Sequence, residues 1–171
     1  MKLKKLSFLI VLGLMISLSA QSQKAGFVNV QIVLKKIPEY QSAQEKLNEL
    51  AKQYKEEIKT IKREIATLYS SYQADKILLS AEMREKKLAE IKKKEDELEL
   101  MKAKRFGENG DLFKERQKLV KPIQDKVYKA IQEIAEKKGF GMMLDVSSDI
   151  SILYYNEKYN KTQDVIKKLG Y

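Results

Sequence analysis

Two short apolar patches with strand character lie near opposite ends of this chain: Gly26-Phe27-Val28-Asn29-Val30 and Phe140-Gly141-Met142-Met143-Leu144-Asp145-Val146. A third, Ile150 to Tyr155, follows the second after a Ser-Ser-Asp turn. Almost everything between the first two is Lys/Glu-rich sequence with a helical apolar period. Strands this short do not stand alone. A helix running out and another running back would return the chain to its start, where the strands can pair. The expected class is therefore α+β, predominantly α: a small β body, with strands at about 26–30, 140–146 and 150–155, carrying a long antiparallel helical hairpin. Such a projection suits holding or spanning something and is a poor place for a catalytic pocket.

The helical pattern has readable limits. Gln31 to Ile37 reads as a short helical or irregular connector, and Pro38-Glu39 as a helix start, since proline loses no hydrogen bond there and Glu39 complements the dipole. From there Leu47, Leu50, Tyr54, Ile58, Ile61, Ile65, Leu68 and Tyr72 recur at three- and four-residue steps, a narrow seam suited to one partner helix. The pattern breaks at 73–79, and Ser80 can cap a returning helix, 80–137, whose seam continues through Leu88, Ile91, Leu98 and Met101. Gly107 and Gly110 are expected to make a weak point or kink, and Pro122 a bend. Val120, Ile123, Val127, Ile131 and Ile134 form a denser face; the surplus of the longer helix, near Leu119 to Ile134, should lie beside the β body. Lys137, Lys138 and Gly139 end that helix, and Thr162 is expected to cap a last one with Val165, Ile166 and Leu169.

These limits divide the chain into a signal peptide (1–22), a body (23–37 with 112–171, its C-terminal helix at about 162–169) and a hairpin arm (38–111, its tip at about 73–80). The signal peptide reads from Lys2, Lys4 and Lys5, the apolar run Leu6 to Leu18, and small residues allowing cleavage after Ala20 or Ser22. The run is short for an uncleaved anchor. No cysteine offers a lipid attachment point, and the chain is expected to be exported. Without cysteine or histidine the chain has no disulfide, no imidazole metal site and no Ser-His or Cys-His pair. No phosphate-binding glycine loop is visible either, so the reading is no enzyme and no cofactor. The formal charge of +10 falls to about +7 once the signal lysines leave, favouring acidic partners such as anionic lipid or lipopolysaccharide. Lys predominates over Arg, which with export argues against nucleic acid.

A two-helix seam and three open-edged strands need cover, and the economical cover is a second copy of the chain. Phe27, Val28, Val30, Met142, Leu144, Val146, Ile152 and Tyr154 are the candidate residues of an oligomerising body. Here the residues resemble a known family. Phe27-Val28-Asn29-Val30, the run Arg116-Gln-Lys-Leu-Val120 through Ile123-Gln124, and Met143-Leu-Asp-Val146 followed by Tyr154-Tyr155-Asn156 and Asp164-Val-Ile-Lys-Lys-Leu169 are, in this order, similar to the Skp (OmpH-like) periplasmic chaperones. The resemblance covers the whole mature chain. It implies a homotrimer with a β body and three helical tentacles around a cavity, holding unfolded outer-membrane proteins without ATP. The glycine pair and Pro122 depart from a straight tentacle.

Ile77, Leu78, Leu79 and Met83 cluster at the expected tip, with Lys86 and Lys87 beside them. They suit either an adaptable client-touching end or packing that closes the hairpin. The lysines at 86, 87, 92, 93, 94, 102 and 104 suit either a solvated face or attraction of acidic client segments. The binding reading is a holdase; its structural competitor is a non-catalytic envelope adaptor docking through its coiled-coil hairpin.

Overall fold

A computed structural model of the chain describes residues 24–148 and 151–171. The expected signal peptide and Ile150 lie outside them. The chain forms two compact units. One joins the described residues up to Val33 with Val127–Tyr171; the other is Leu34–Lys126.

In the first unit, strand β1 (Lys24–Val28) pairs in parallel with β2 (Phe140–Asp145), in a register that sets Phe27 against Leu144 and Val28 against Asp145. Parallel partners need a crossover, and the helical sequence between them supplies it. The first strand ends before Val30, which the sequence assigned to it. Asn29 instead caps a short helix, α1 (Val30–Lys35), its side-chain oxygen accepting from the Ile32 amide at 2.9 Å. Asp145 at the end of β2 accepts from the Val30 amide at 3.1 Å and from Ser147, both amide and hydroxyl. One orphan donor of α1, the Val30 amide, is thus met by a residue that local reading gave only a strand role.

The third strand expected at 150–155 is not formed: 151–156 has no regular secondary structure. Both edges of β1 are already in use. The Val28 carbonyl accepts from Val146 on one side, and the Phe27 carbonyl accepts from Lys161 at 2.7 Å on the other. Residues after a 3₁₀ turn (Glu157–Tyr159) lie along this second edge, and Ile152 and Tyr154 form no strand. Tyr155 stacks its ring on Phe27 at 4.8 Å, while Leu153 and Tyr154 are 97% and 82% exposed.

The last helix of this unit, α5 (Thr162–Lys168), follows Lys161. Thr162 is not its cap but its first residue, and is buried. Its hydroxyl accepts from the Asn29 amide at 2.9 Å and donates to Asn160 at 2.7 Å. The fully buried side chains of the unit are Val28, Val33, Val127 and Val165. Burying a side chain of this size stabilises by about 1.5–3 kcal/mol.

The second unit is dominated by α2 (Pro38–Asp75) and α3 (Ala81–Phe106), which pack antiparallel. Ala43, Leu47, Tyr54 and Ile61 of α2 and Ile91 and Leu98 of α3 are buried; Leu50, Ile58, Ile65, Leu68 and Tyr72 are half-buried. Leu88, assigned to the seam from its spacing, is instead exposed. The returning helix also differs from a single 80–137 span. It stops at Phe106, and α4 (Asp111–Lys138) begins after Gly107–Gly110. A Cβ on Gly107 would stand 2.4 Å from the Ala103 carbonyl oxygen, and one on Gly110 would stand 2.9 Å from two backbone atoms. The turn is closed by backbone too near for any side chain. Helix α4 then continues through Pro122 and ends at Gly139, whose φ of 67° is the left-handed value of a glycine C-cap.

Candidate functional site

The turn between α2 and α3 is closed by polar groups. Leu78 donates its amide to the Asp75 carbonyl at 2.8 Å, Ser80 accepts from the Met83 amide, and the Arg84 guanidinium donates to the Leu79 carbonyl at 3.1 Å. Leu79 is half-buried against this framework. Ile77 and Leu78 are 83% and 87% exposed, and Met83 is half exposed. Adjacent large apolar side chains held outward on a hydrogen-bonded turn are costly to leave in water, and they are available to a partner.

Apolar exposure extends beyond the residues the sequence singled out. Leu100 of α3 is 72% exposed, and with Ala89 and Met101 it forms a shallow groove bordered by Lys92, Lys93 and Lys104. The sequence carried a signal for Leu100: its spacing from the seam positions Ile91 and Leu98 sets it on the face opposite the one they bury.

The lysines of α3 divide into two groups. Lys86 pairs with Glu82, Lys92 with Asp96, and Lys102 with Glu99, all one turn apart; Lys94 reaches Glu64 of α2 and Glu97, each at 3.0 Å. The hydrogen bond to Asp96 raises the pKa of Lys92, and those to Glu64 and Glu97 raise that of Lys94. Lys87, Lys93 and Lys104 have no ion pair among the described residues. Exposed pairs of this kind contribute little to stability, but the uncompensated lysines keep a long-range attraction for acidic segments.

Further along the hairpin, Arg105 gathers three elements. Its Nε donates to Glu57 of α2 at 3.0 Å, its Nη1 donates to Asp111 of α4 at 2.5 Å, and its guanidinium lies 4.4 Å from the centre of the Tyr54 ring. Phe106 meets the same ring edge-on at 6.1 Å. The Asp111 hydrogen bond is the largest cause raising the pKa of Arg105. Nothing in the local spacing of the sequence pointed to this residue, because its partners come from two other helices.

The expected body residues fall differently. Val28 and Val30 are buried within the chain; Phe27, Leu144, Val146 and Ile152 are half-buried; Met142 is 50% exposed and Tyr154 more so.

The family model for Outer membrane protein (OmpH-like) matches residues 24–169. The Chaperone protein Skp of Vibrio cholerae serotype O1 is 29% identical over 164 residues, covering 92% of this chain and 89% of that protein. The Chaperone protein Skp of Yersinia enterocolitica is 25% identical, covering 92% and 93%. The crystal structure of an OmpH-like protein from Caulobacter crescentus CB15 has the same fold, with a TM-score of 0.62 over 88% of this chain and 86% of that one at 13% identity. A match running from the first strand to the last helix settles the family: this chain belongs to the OmpH-like outer membrane proteins.

Proposed function

We propose that this chain is an ATP-independent periplasmic holdase, which binds unfolded outer-membrane proteins and keeps them from aggregating. The observation that carries the reading, beside family membership and relatives named as chaperones, is Ile77 and Leu78 held exposed on a closed, polar turn of a long helix pair. Outer-membrane chains are strand-forming and carry unpaired edges until they close into barrels. Weak contacts repeated over several arms can hold such a chain without fixing its structure. The arm is the hairpin at 38–111, and the body is 23–37 with 112–171. Three copies joined through Met142, Tyr154 and their neighbours would give several arms around one space. The uncompensated lysines suit acidic client segments or an anionic lipid headgroup. Residues 1–22 would direct export.

The test is dilution of a urea-unfolded porin into stoichiometric amounts of the mature protein. Suppressed light scattering is the expected result. An envelope adaptor docking through its hairpin would leave aggregation unchanged. Light scattering of the mature protein alone checks the trimer, and a monomeric mass at micromolar concentration would overturn it.

A further inference from the structure

We propose that Arg105 is a positioning residue that latches a bend point in the hairpin, and so sets how far the arm opens for a client; the second clause rests on the holdase reading. The outgoing helix α2 is uninterrupted, whereas the returning chain is cut at Gly107–Gly110. Backbone hydrogen bonds at the cut run from Gly107 to Ala103, from Gly110 to Gly107 and from Lys114 to Gly110, each ending on or starting from a glycine. A helix owes its stiffness to the unbroken ladder, and here the ladder is interrupted. The Arg105 side chain crosses the gap instead, reaching Asp111 beyond it and Glu57 on the helix alongside.

The geometry suits a latch. One planar guanidinium engages carboxylates on two different helices, and a lysine ammonium lacks that fork. The group is mostly covered, its side chain 22% exposed, with Tyr54 against it, so the pair is screened less than the exposed pairs of α3. Releasing Arg105 frees Glu57 and Asp111 together. It loosens α3 from α4 at the glycine turn, while the seam at Ile61, Ile91 and Leu98 and the Lys46–Glu115 pair of α2 with α4 stay in place. The device is thus local to the break and separable from the packing of the hairpin.

The chain contains no cysteine, so spin labels can be placed singly on introduced cysteines. Exposed Lys93 on α3 and Lys118 on α4 flank the break. In the mature assembly, carrying labelled protomers diluted with unlabelled ones, the Lys93–Lys118 distance should give one narrow population. R105M, which keeps the stem against Tyr54, and D111N should add a second population, and R105K should resemble R105M. Raising the salt should move the wild type in the same direction. K92M, which breaks a pair internal to α3, is the control and should leave the distance unchanged. Distributions for R105M and D111N that superimpose on the wild type overturn the latch. D111N and R105K also answer the question should R105M not fold. Client capture is read separately. With a working latch and a working holdase, R105M shifts protection toward larger unfolded porins. A wild type that protects no porin overturns the holdase reading and leaves the distance result intact.

Discussion

The backbone amide of Asn29 donates to the buried hydroxyl of Thr162 at 2.9 Å, across 133 positions of sequence. That bond ties the cap of α1 to the start of α5, on the strand edge where Lys161 meets Phe27. Thr162→Val keeps the shape and removes both hydroxyl bonds, leaving the Asn29 amide without its partner, while the Asn160 side-chain oxygen keeps the Thr162 backbone amide. The expected cost is about 1–3 kcal/mol in urea unfolding, with Thr162→Ser close to wild type. A valine variant as stable as the parent would show that the bond contributes nothing.

The glycine break inverts an ordinary rule. In a continuous helix, replacing Gly by Ala stabilises by about 1 kcal/mol. At Gly107 the new Cβ would meet the Ala103 carbonyl oxygen at 2.4 Å, and at Gly110 it would crowd the backbone of Gly107 and Lys104. Both alanine variants should therefore lower the melting temperature, by an amount matching about 1–3 kcal/mol. A rise would mean that the returning helix is unbroken.

Seam and turn residues should separate stability from function. Ile61→Ala or Ile91→Ala removes a buried side chain between α2 and α3 and should cost about 2–5 kcal/mol. Ile77→Ser with Leu78→Ser touches nothing buried and should stay within about 0.5 kcal/mol of the parent, yet weaken protection of unfolded porin. Loss of stability in the turn variant, or full protection by it, would contradict its assignment.

Glu133 and Lys168 join α4 to α5 at the surface. Lys168 holds the Glu133 carboxyl below its ordinary value of 4.5, first by hydrogen bonding and then by charge, with a smaller effect of Lys129. Because the folded-state value is the lower one, the pair's contribution is complete above the ordinary value and fades as the pH falls through the folded one. Wild type should unfold at a slightly higher temperature than Glu133→Gln at neutral pH, and the two curves should converge on acidification. Curves that stay parallel throughout would exclude the linkage.

The hairpin was legible because its signals are local. The start at Pro38, the seam at Leu47, Tyr54 and Ile61, and the cap at Ser80 each depend on neighbours within a turn or two. The return of the chain was legible from need: a strand near Val28 has no partner close to it in sequence, and it does pair with the one near Leu144. The candidate site was half legible. Ile77 and Leu78 could be singled out as apolar residues where the seam ends, but Leu100 was overlooked and Leu88 was placed in a seam that it leaves.

Periodicity and end signals were enough to establish a long two-helix arm and the meeting of the chain's extremities, since an apolar stripe must be buried wherever it occurs. Three-dimensional packing alone chose which segment occupies each edge of β1, made Val30 a helix residue, and gave Arg105 its two carboxylates. These outcomes are competitions for single backbone and side-chain groups among segments distant in sequence. Lys161 takes the Phe27 carbonyl and Asp145 the Val30 amide, and no local pattern records which distant group arrives first.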